Sequence, residues 1–207
     1  MENILTKLLV NDMKPALGVT EPGAIAFATA KARSYVKGDV ESVLVSMNSG
    51  MYKNAFTCGI PNSSEVGNVF ASALGVVAGD CNKGLESLAD VNPADNEAAQ
   101  KLIDEGRVTI KMSGIPSDIF IEATVKTSFD ECTVTIRDSH TNIVKVVLNG
   151  TIIYEAQIQE KSEYGKEKIK TIHSYTLAQL VEYARTVPLE EIEFIQQAYK
   201  VNIELFK

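Results

Sequence analysis

Two hydrophobic periods divide this chain. From the N-terminus to Gly106, apolar residues recur mainly at helical spacing; from Arg107 to Glu155 they alternate with period two. Ile4, Leu5, Leu8 and Leu9 mark one face of a short amphipathic helix over residues 2–12. A second helix is expected from Thr20 to about Tyr35, stopped by Gly38, and Val43, Val45 and Met47 then alternate along a strand from Val40 to Asn48. The segment Ser49–Ser64, rich in Gly, Asn, Ser and Pro, reads as a loop. A small-residue helix follows from about Ser64 to Ala78, broken at Gly79-Asp80. Another helix has Asn92 as its cap and Pro93 at its first position, and it ends at Gly106.

In the period-two region, Val108-Ile110-Met112, Ile119-Ile121-Ala123-Val125, Cys132-Val134-Ile136, Ile143–Leu148 and Thr151–Tyr154 read as successive strands. Asn149-Gly150 between the last two is a hairpin signal, because both residues tolerate positive φ; short turns of this kind require antiparallel pairing. Ile158–Ile172, dense in lysine and glutamate, is expected to be an exposed, mobile loop. Two helices close the pattern, one with the capping box Thr176/Gln179 and one starting near Pro188 with Glu190, Glu191 and Glu193 in its early turns. The fold class expected is α+β, with an antiparallel sheet of five or six strands flanked by N- and C-terminal helices. The strand at Val40–Asn48 is a candidate member of that sheet. The reading keeps 1–207 as a single α+β unit, with 1–106 and 156–207 as its helix and loop part and 107–155 as its sheet.

At 207 residues the chain is long enough to bury a substantial core, and 45% hydrophobic with 23% charged content is ordinary for a globular protein. The net charge of −7 argues against a nucleic-acid groove or an anionic membrane surface as partner. Apolar runs such as Ala24–Ala30 are too short to span a bilayer, and Met1-Glu-Asn-Ile-Leu has no basic leader region, so a cytoplasmic location is expected. Cys58, Cys81 and Cys132 have no metal-type spacing and are read as spectators; no metal ligand is assigned.

Candidate chemistry concentrates in three places. In the first, Lys14-Pro-Ala-Leu-Gly-Val-Thr-Glu-Pro22, Gly18 frees the backbone, Thr20 reads as the N-cap, and Glu21 and Pro22 occupy the first turn. A helix start of this kind can seat an anion such as a substrate carboxylate, and Glu21 can pair with an ammonium; plain capping is the other reading. In the second, Lys53, Asn54, Asn62 and Ser63 offer a positive charge and hydrogen bonds of both kinds, which suits a zwitterionic amino acid, although Gly/Asn/Ser loops are commonly just turns. In the third, His140 lies in Asp138-Ser-His-Thr-Asn142, as a proton carrier near neutral pH or as part of a hairpin turn. Thr20, Glu21 and His140 are the catalytic candidates; Lys53, Asn54, Asn62 and Ser63 are the substrate-binding ones.

The same segments, with Gly59-Ile-Pro-Asn-Ser63, Ala73-Leu-Gly75, Gly84-Leu-Glu86, His140-Thr-Asn-Ile-Val144, Thr176-Leu177, Val187-Pro188 and Phe194-Ile195, resemble the cysteine desulfidase family and the related iron–sulfur L-serine dehydratase alpha chains. The resemblance implies the N-terminal portion of a longer lyase that releases pyruvate and ammonia from L-cysteine or L-serine by α,β-elimination. It also implies a [4Fe–4S] cluster held on a C-terminal partner chain or segment, with no cofactor bound by this chain alone and a homo- or hetero-oligomeric assembly. Val19 stands where the family motif has a cysteine, and an isopropyl group can neither ligate iron nor act as acid, base or nucleophile. The chain is therefore expected to be inactive alone, the alternative being a non-catalytic amino-acid-binding or structural subunit.

Overall fold

A computed structural model describes residues 3–13, 16–115, 118–156 and 172–204. These residues divide into two compact units, Ala16–Gln157 and residues 1–15 with 158–207.

The larger unit holds α2 (Thr20–Arg33), β1 (Val40–Met47), α3 (Ser49–Ala55), α4 (Gly67–Ala78), a 3₁₀ turn at Gly84–Glu86, α5 (Pro93–Asp104) and five further strands. The strands are β2 (Val108–Met112), β3 (Phe120–Thr127), β4 (Glu131–Arg137), β5 (Ile143–Leu148) and β6 (Thr151–Glu155). They form one six-stranded sheet in the order β2-β1-β3-β4-β5-β6, which makes the class α+β as expected. β1 joins the sheet between β2 and β3. Its pairing with β2 is parallel, Val43 opposite Val108, whereas every other pair is antiparallel. The period-two pattern could not distinguish the two, because direction depends on the connection. Here three helices and the 3₁₀ turn carry the chain from β1 back to the same end of the sheet.

One sheet face is covered and one is open. Val43, Val45, Ile121, Val125, Val134 and Ile136 are fully buried on the covered face, while Glu122 and Lys126 stand on the open one, where Thr124 and Thr133 share a 2.8 Å hydrogen bond. This alternation is why the strands were legible. α2 packs against β3 and β4 on one side and α4 on the other, so Pro22–Ala30 and Ala32 are buried almost without interruption. Alanines at 24, 26, 28, 30 and 32 make the helix slim enough for that position. Gly75 of α4 lets the two backbones meet, since a Cβ built there would lie 2.1 Å from Thr29 Oγ1 and 2.4 Å from the Ala26 carbonyl oxygen. The small-residue helices are therefore each other's partners.

Asn48 ties the helical layer to the sheet: its Oδ1 accepts from the Phe120 N–H at 3.0 Å, and its Nδ2 donates to the Asp118 carbonyl at 3.3 Å. At the β5–β6 turn Asn149 and Gly150 have φ of 51° and 78°, as the Asn-Gly pair requires.

The second unit holds α1 (Ile4–Asp12), α6 (Leu177–Thr186), α7 (Leu189–Ile192) and α8 (Ile195–Glu204). The capping box at Thr176/Gln179 is present, and the single helix expected after Pro188 is two, α7 and α8. Thr6 of α1 meets the Tyr183 hydroxyl at 2.8 Å and donates to Glu191 Oε2 at 3.2 Å. Residues 158–171, most of the lysine- and glutamate-rich loop, lie outside the described residues, as do Lys14 and Pro15. Among the described residues, no helix is long and apolar enough to cross a membrane.

Candidate functional site

Four of the seven residues singled out from sequence come together at the start of α2. Gly18, at φ +133°, swings the chain into the helix, a conformation that side chains disfavour. Val19, 48% exposed, takes the N-cap position, and Thr20 is the first helical residue. This corrects the reading of Thr20 as the cap. No side chain caps α2, so the Thr20 hydroxyl is not committed to the backbone. It lies 3.3 Å from Glu21 Oε2 and 3.3 Å from His140 Nε2, which the β4–β5 turn delivers from the far side of the sequence. That turn is held by Asp138 at φ 66° and by Asn142 Nδ2 donating to the Arg137 carbonyl at 3.0 Å.

Asn54 completes the group. The expected loop from Ser49 begins instead with the helix α3, because Met51 and Ala55 find burial four residues apart on one face. Asn54 in its last turn donates from Nδ2 to Glu21 Oε1 at 2.9 Å. One residue type thus serves each oxygen of Glu21: an amide on Oε1 and a hydroxyl on Oε2. The Cys58 thiol donates to the Asn54 carbonyl at 2.7 Å.

The other candidates are placed differently. Lys53 is exposed and takes no part in the hydrogen bonds joining these four. Asn62, at φ 58°, donates its amide to the Leu88 and Ala89 carbonyls at 2.9 and 3.0 Å, and the Ser63 hydroxyl accepts from the Glu65 N–H at 3.1 Å. Both hold a turn. The sequence had no signal separating them from Asn54, because the same side chains build turns and bind ligands.

The electrostatics of the group are internally consistent. Burial pushes the Glu21 carboxyl up, but the Asn54 amide, its own backbone N–H, the His140 charge and the Thr20 hydroxyl outweigh burial, and the net shift is below the usual carboxylate value. Glu21 is therefore ionised at neutral pH. Burial pushes His140 below the ordinary imidazole value, with Glu21 pulling it partly back, so His140 is mostly neutral there. The Thr20 hydroxyl has one hydrogen, and the ionised Glu21 is its stronger acceptor. In that arrangement Nε2–H of His140 donates to Thr20, and Nδ1 is left as the basic nitrogen. A fixed anion, a hydroxyl relay and a neutral imidazole at a helix start can bind an ammonium group and accept a proton.

Among the described residues, no group of three or more His, Cys, Asp or Glu side chains could hold a metal ion. Cys58 and Cys81 are partly exposed, and Cys132 is buried in β4, where burial raises its thiol to about 11.

No family model matches the chain. It is 34% identical over 208 aligned residues to a UPF0597 protein of Clostridium botulinum, a match covering 99% of this chain and 48% of that protein. A UPF0597 protein of Vibrio parahaemolyticus is 36% identical over 92% of this chain and 44% of its own length. One of Caldanaerobacter subterraneus is 33% identical over 96% and 47% respectively. These near-complete matches correct the resemblance to cysteine desulfidases and serine dehydratase alpha chains. The relatives carry a different family's name, and the iron–sulfur cluster inferred from that resemblance does not come with it. The quoted landmarks are short runs of Gly, Pro, Asn and helix-start residues, which recur in unrelated proteins because turns and caps require them. The chain is similar to UPF0597 proteins, whose names assign no reaction, and it spans about half the length of the curated relatives it matches.

Proposed function

We propose that this chain supplies the acid–base part of a site for a small amino acid, in a lyase whose remaining groups come from a second segment or chain. The observation that carries the reading is the Thr20 hydroxyl, 3.3 Å from both Glu21 and His140, with Asn54 fixing the far oxygen of the carboxylate. In an α,β-elimination of L-serine or L-cysteine, the substrate ammonium pairs with Glu21 and its carboxylate faces the free N–H groups opening α2. The neutral His140 Nδ1 takes the α-proton as the Cα–Cβ double bond forms. The β-hydroxyl or thiol departs with the Cβ–O or Cβ–S electron pair, and the resulting enamine hydrolyses to pyruvate and ammonia. The leaving group needs an acid that these four residues do not provide, so the complete site requires the second part.

A second reading is a non-catalytic amino-acid-binding module. Val19 favours it, since an exposed isopropyl at the helix entrance contributes no chemistry. Titrating the chain with L-serine and L-cysteine while following the His140 imidazole by NMR tests what both share. A saturable shift, absent in Glu21→Gln, is expected, and no shift at millimolar ligand refutes both readings. Pyruvate formation after the unmatched part of the Clostridium botulinum relative is supplied then separates them: turnover lost in His140→Gln supports the lyase, and binding without turnover supports the module.

A further inference from the structure

Among the described residues of the smaller unit, few side chains are buried. Leu5 and Thr6 are the buried ones among those described, while Leu177 is 77%, Leu189 76% and Tyr199 69% exposed. The exposure is patterned. Ile195, Tyr199 and Ile203 follow at i, i+4 and i+8 along α8, and Leu177 and Val181 at i and i+4 along α6, so each helix presents an apolar stripe. A groove between α7 and α8 is lined by Leu189, Ile192, Ile195 and Tyr199, with Glu193 and Gln196 at its edge. Apolar stripes this continuous on so few residues mark a surface that another chain segment covers.

We infer that this helical face is the docking surface for the other half of a UPF0597-length protein. The three relatives match between 92% and 99% of this chain but only 44–48% of their own length, so in each a further stretch of similar size shares a polypeptide with the counterparts of these helices. Sharing a polypeptide gives that stretch a high effective concentration at the face, which a separate protein or a second copy lacks. The occupant presents a complementary apolar surface to α6 and α8 and polar groups to the groove edge at Glu193 and Gln196. This inference is independent of the acid–base reading, because its test measures docking rather than turnover.

The test mixes this chain with the part of the Clostridium botulinum relative that it does not match, expressed separately. Sedimentation velocity is expected to give an equimolar complex, with hydrogen exchange slowed in Leu177–Thr186 and Ile195–Glu204 and unchanged in β3 and β4. The double variant Leu177→Glu/Leu189→Glu should weaken the complex by about a hundredfold or more, roughly the effect of losing two buried leucine contacts. Glu190→Gln, beside the face, should not. Far-UV circular dichroism, unchanged in the double variant, establishes that its helices fold. Three results overturn the inference: no complex at tens of micromolar, a complex that leaves exchange in α6 and α8 unaltered, or a dimer of this chain alone that the double variant dissolves.

Discussion

Replacing Gly75 with alanine tests whether the contact between α2 and α4 sets the frame for the site. The added methyl would lie 2.1 Å from Thr29 Oγ1, 2.4 Å from the Ala26 carbonyl oxygen and 2.7 Å from Ala26 Cα. Rotating Thr29 could relieve the first clash, at the loss of its hydrogen bonds to the Ile25 and Ala26 carbonyls. No rotation relieves the other two, which are backbone, so the helices must separate by about 1 Å to restore ordinary contact distances. Overpacking of this severity costs about 3 kcal/mol, and the better helix propensity of alanine returns about 1, leaving a net loss of about 2 kcal/mol. For a protein of this size that lowers Tm by about 4–8 °C. Urea unfolding followed by far-UV circular dichroism measures it, with Gly59→Ala as control, because a Cβ there meets nothing within 4 Å. Since α2 carries Thr20 and Glu21, the same variant should broaden or shift the His140 imidazole resonances. A loss below about 0.5 kcal/mol, the range of ordinary surface substitutions, would refute the packing argument. So would complete rescue by Thr29→Ala, which removes the hydroxyl clash and leaves the backbone one.

His140 should titrate below the ordinary imidazole value, and Glu21→Gln should lower it further, because the carboxylate is what pulls it back up; NMR titration of both proteins checks the order. A depressed histidine binds its proton in the unfolded chain first, so stability should fall as pH drops from about 6.5 toward the native value, and His140→Gln should flatten that slope in pH-dependent urea melts. The lowered Glu21 contributes stability that is present above its unfolded pKa and is lost, in the same melts, as pH falls through its folded one. Asn48→Ala removes the acceptor for the Phe120 N–H at the edge of the core and should cost about 1–3 kcal/mol in the same assay; a neutral effect would mean the hydrogen bond is replaced without loss. With a thiol reagent near neutral pH, Cys58 and Cys81 should react and Cys132 should not until the protein unfolds, because it is fully buried and its thiol titrates at about 11.

Local chemistry determined what could be read without the fold. Alternation made β3 and β4 legible because one sheet face is buried there and the other open, and Asn149-Gly150, Asn92-Pro93 and Thr176/Gln179 announced their turn and caps because few other residues satisfy those backbones. The sequence also nominated Thr20, Glu21, Asn54 and His140, all polar residues near predicted element ends. It could not separate them from Asn62 and Ser63, whose side chains close turns onto Leu88, Ala89 and Glu65. It misread Ser49–Ala55 as loop, since Gly, Asn and Ser disfavour a helix locally and only the burial of Met51 and Ala55 overrides them. The tertiary structure alone decided that β1 lies inside the sheet, parallel to β2, and that α4 covers α2. It alone brought residues 20, 21, 54 and 140 within hydrogen-bonding reach. Periodicity reports which face a residue buries but not what it is buried against, and contacts between residues 120 positions apart are set by packing.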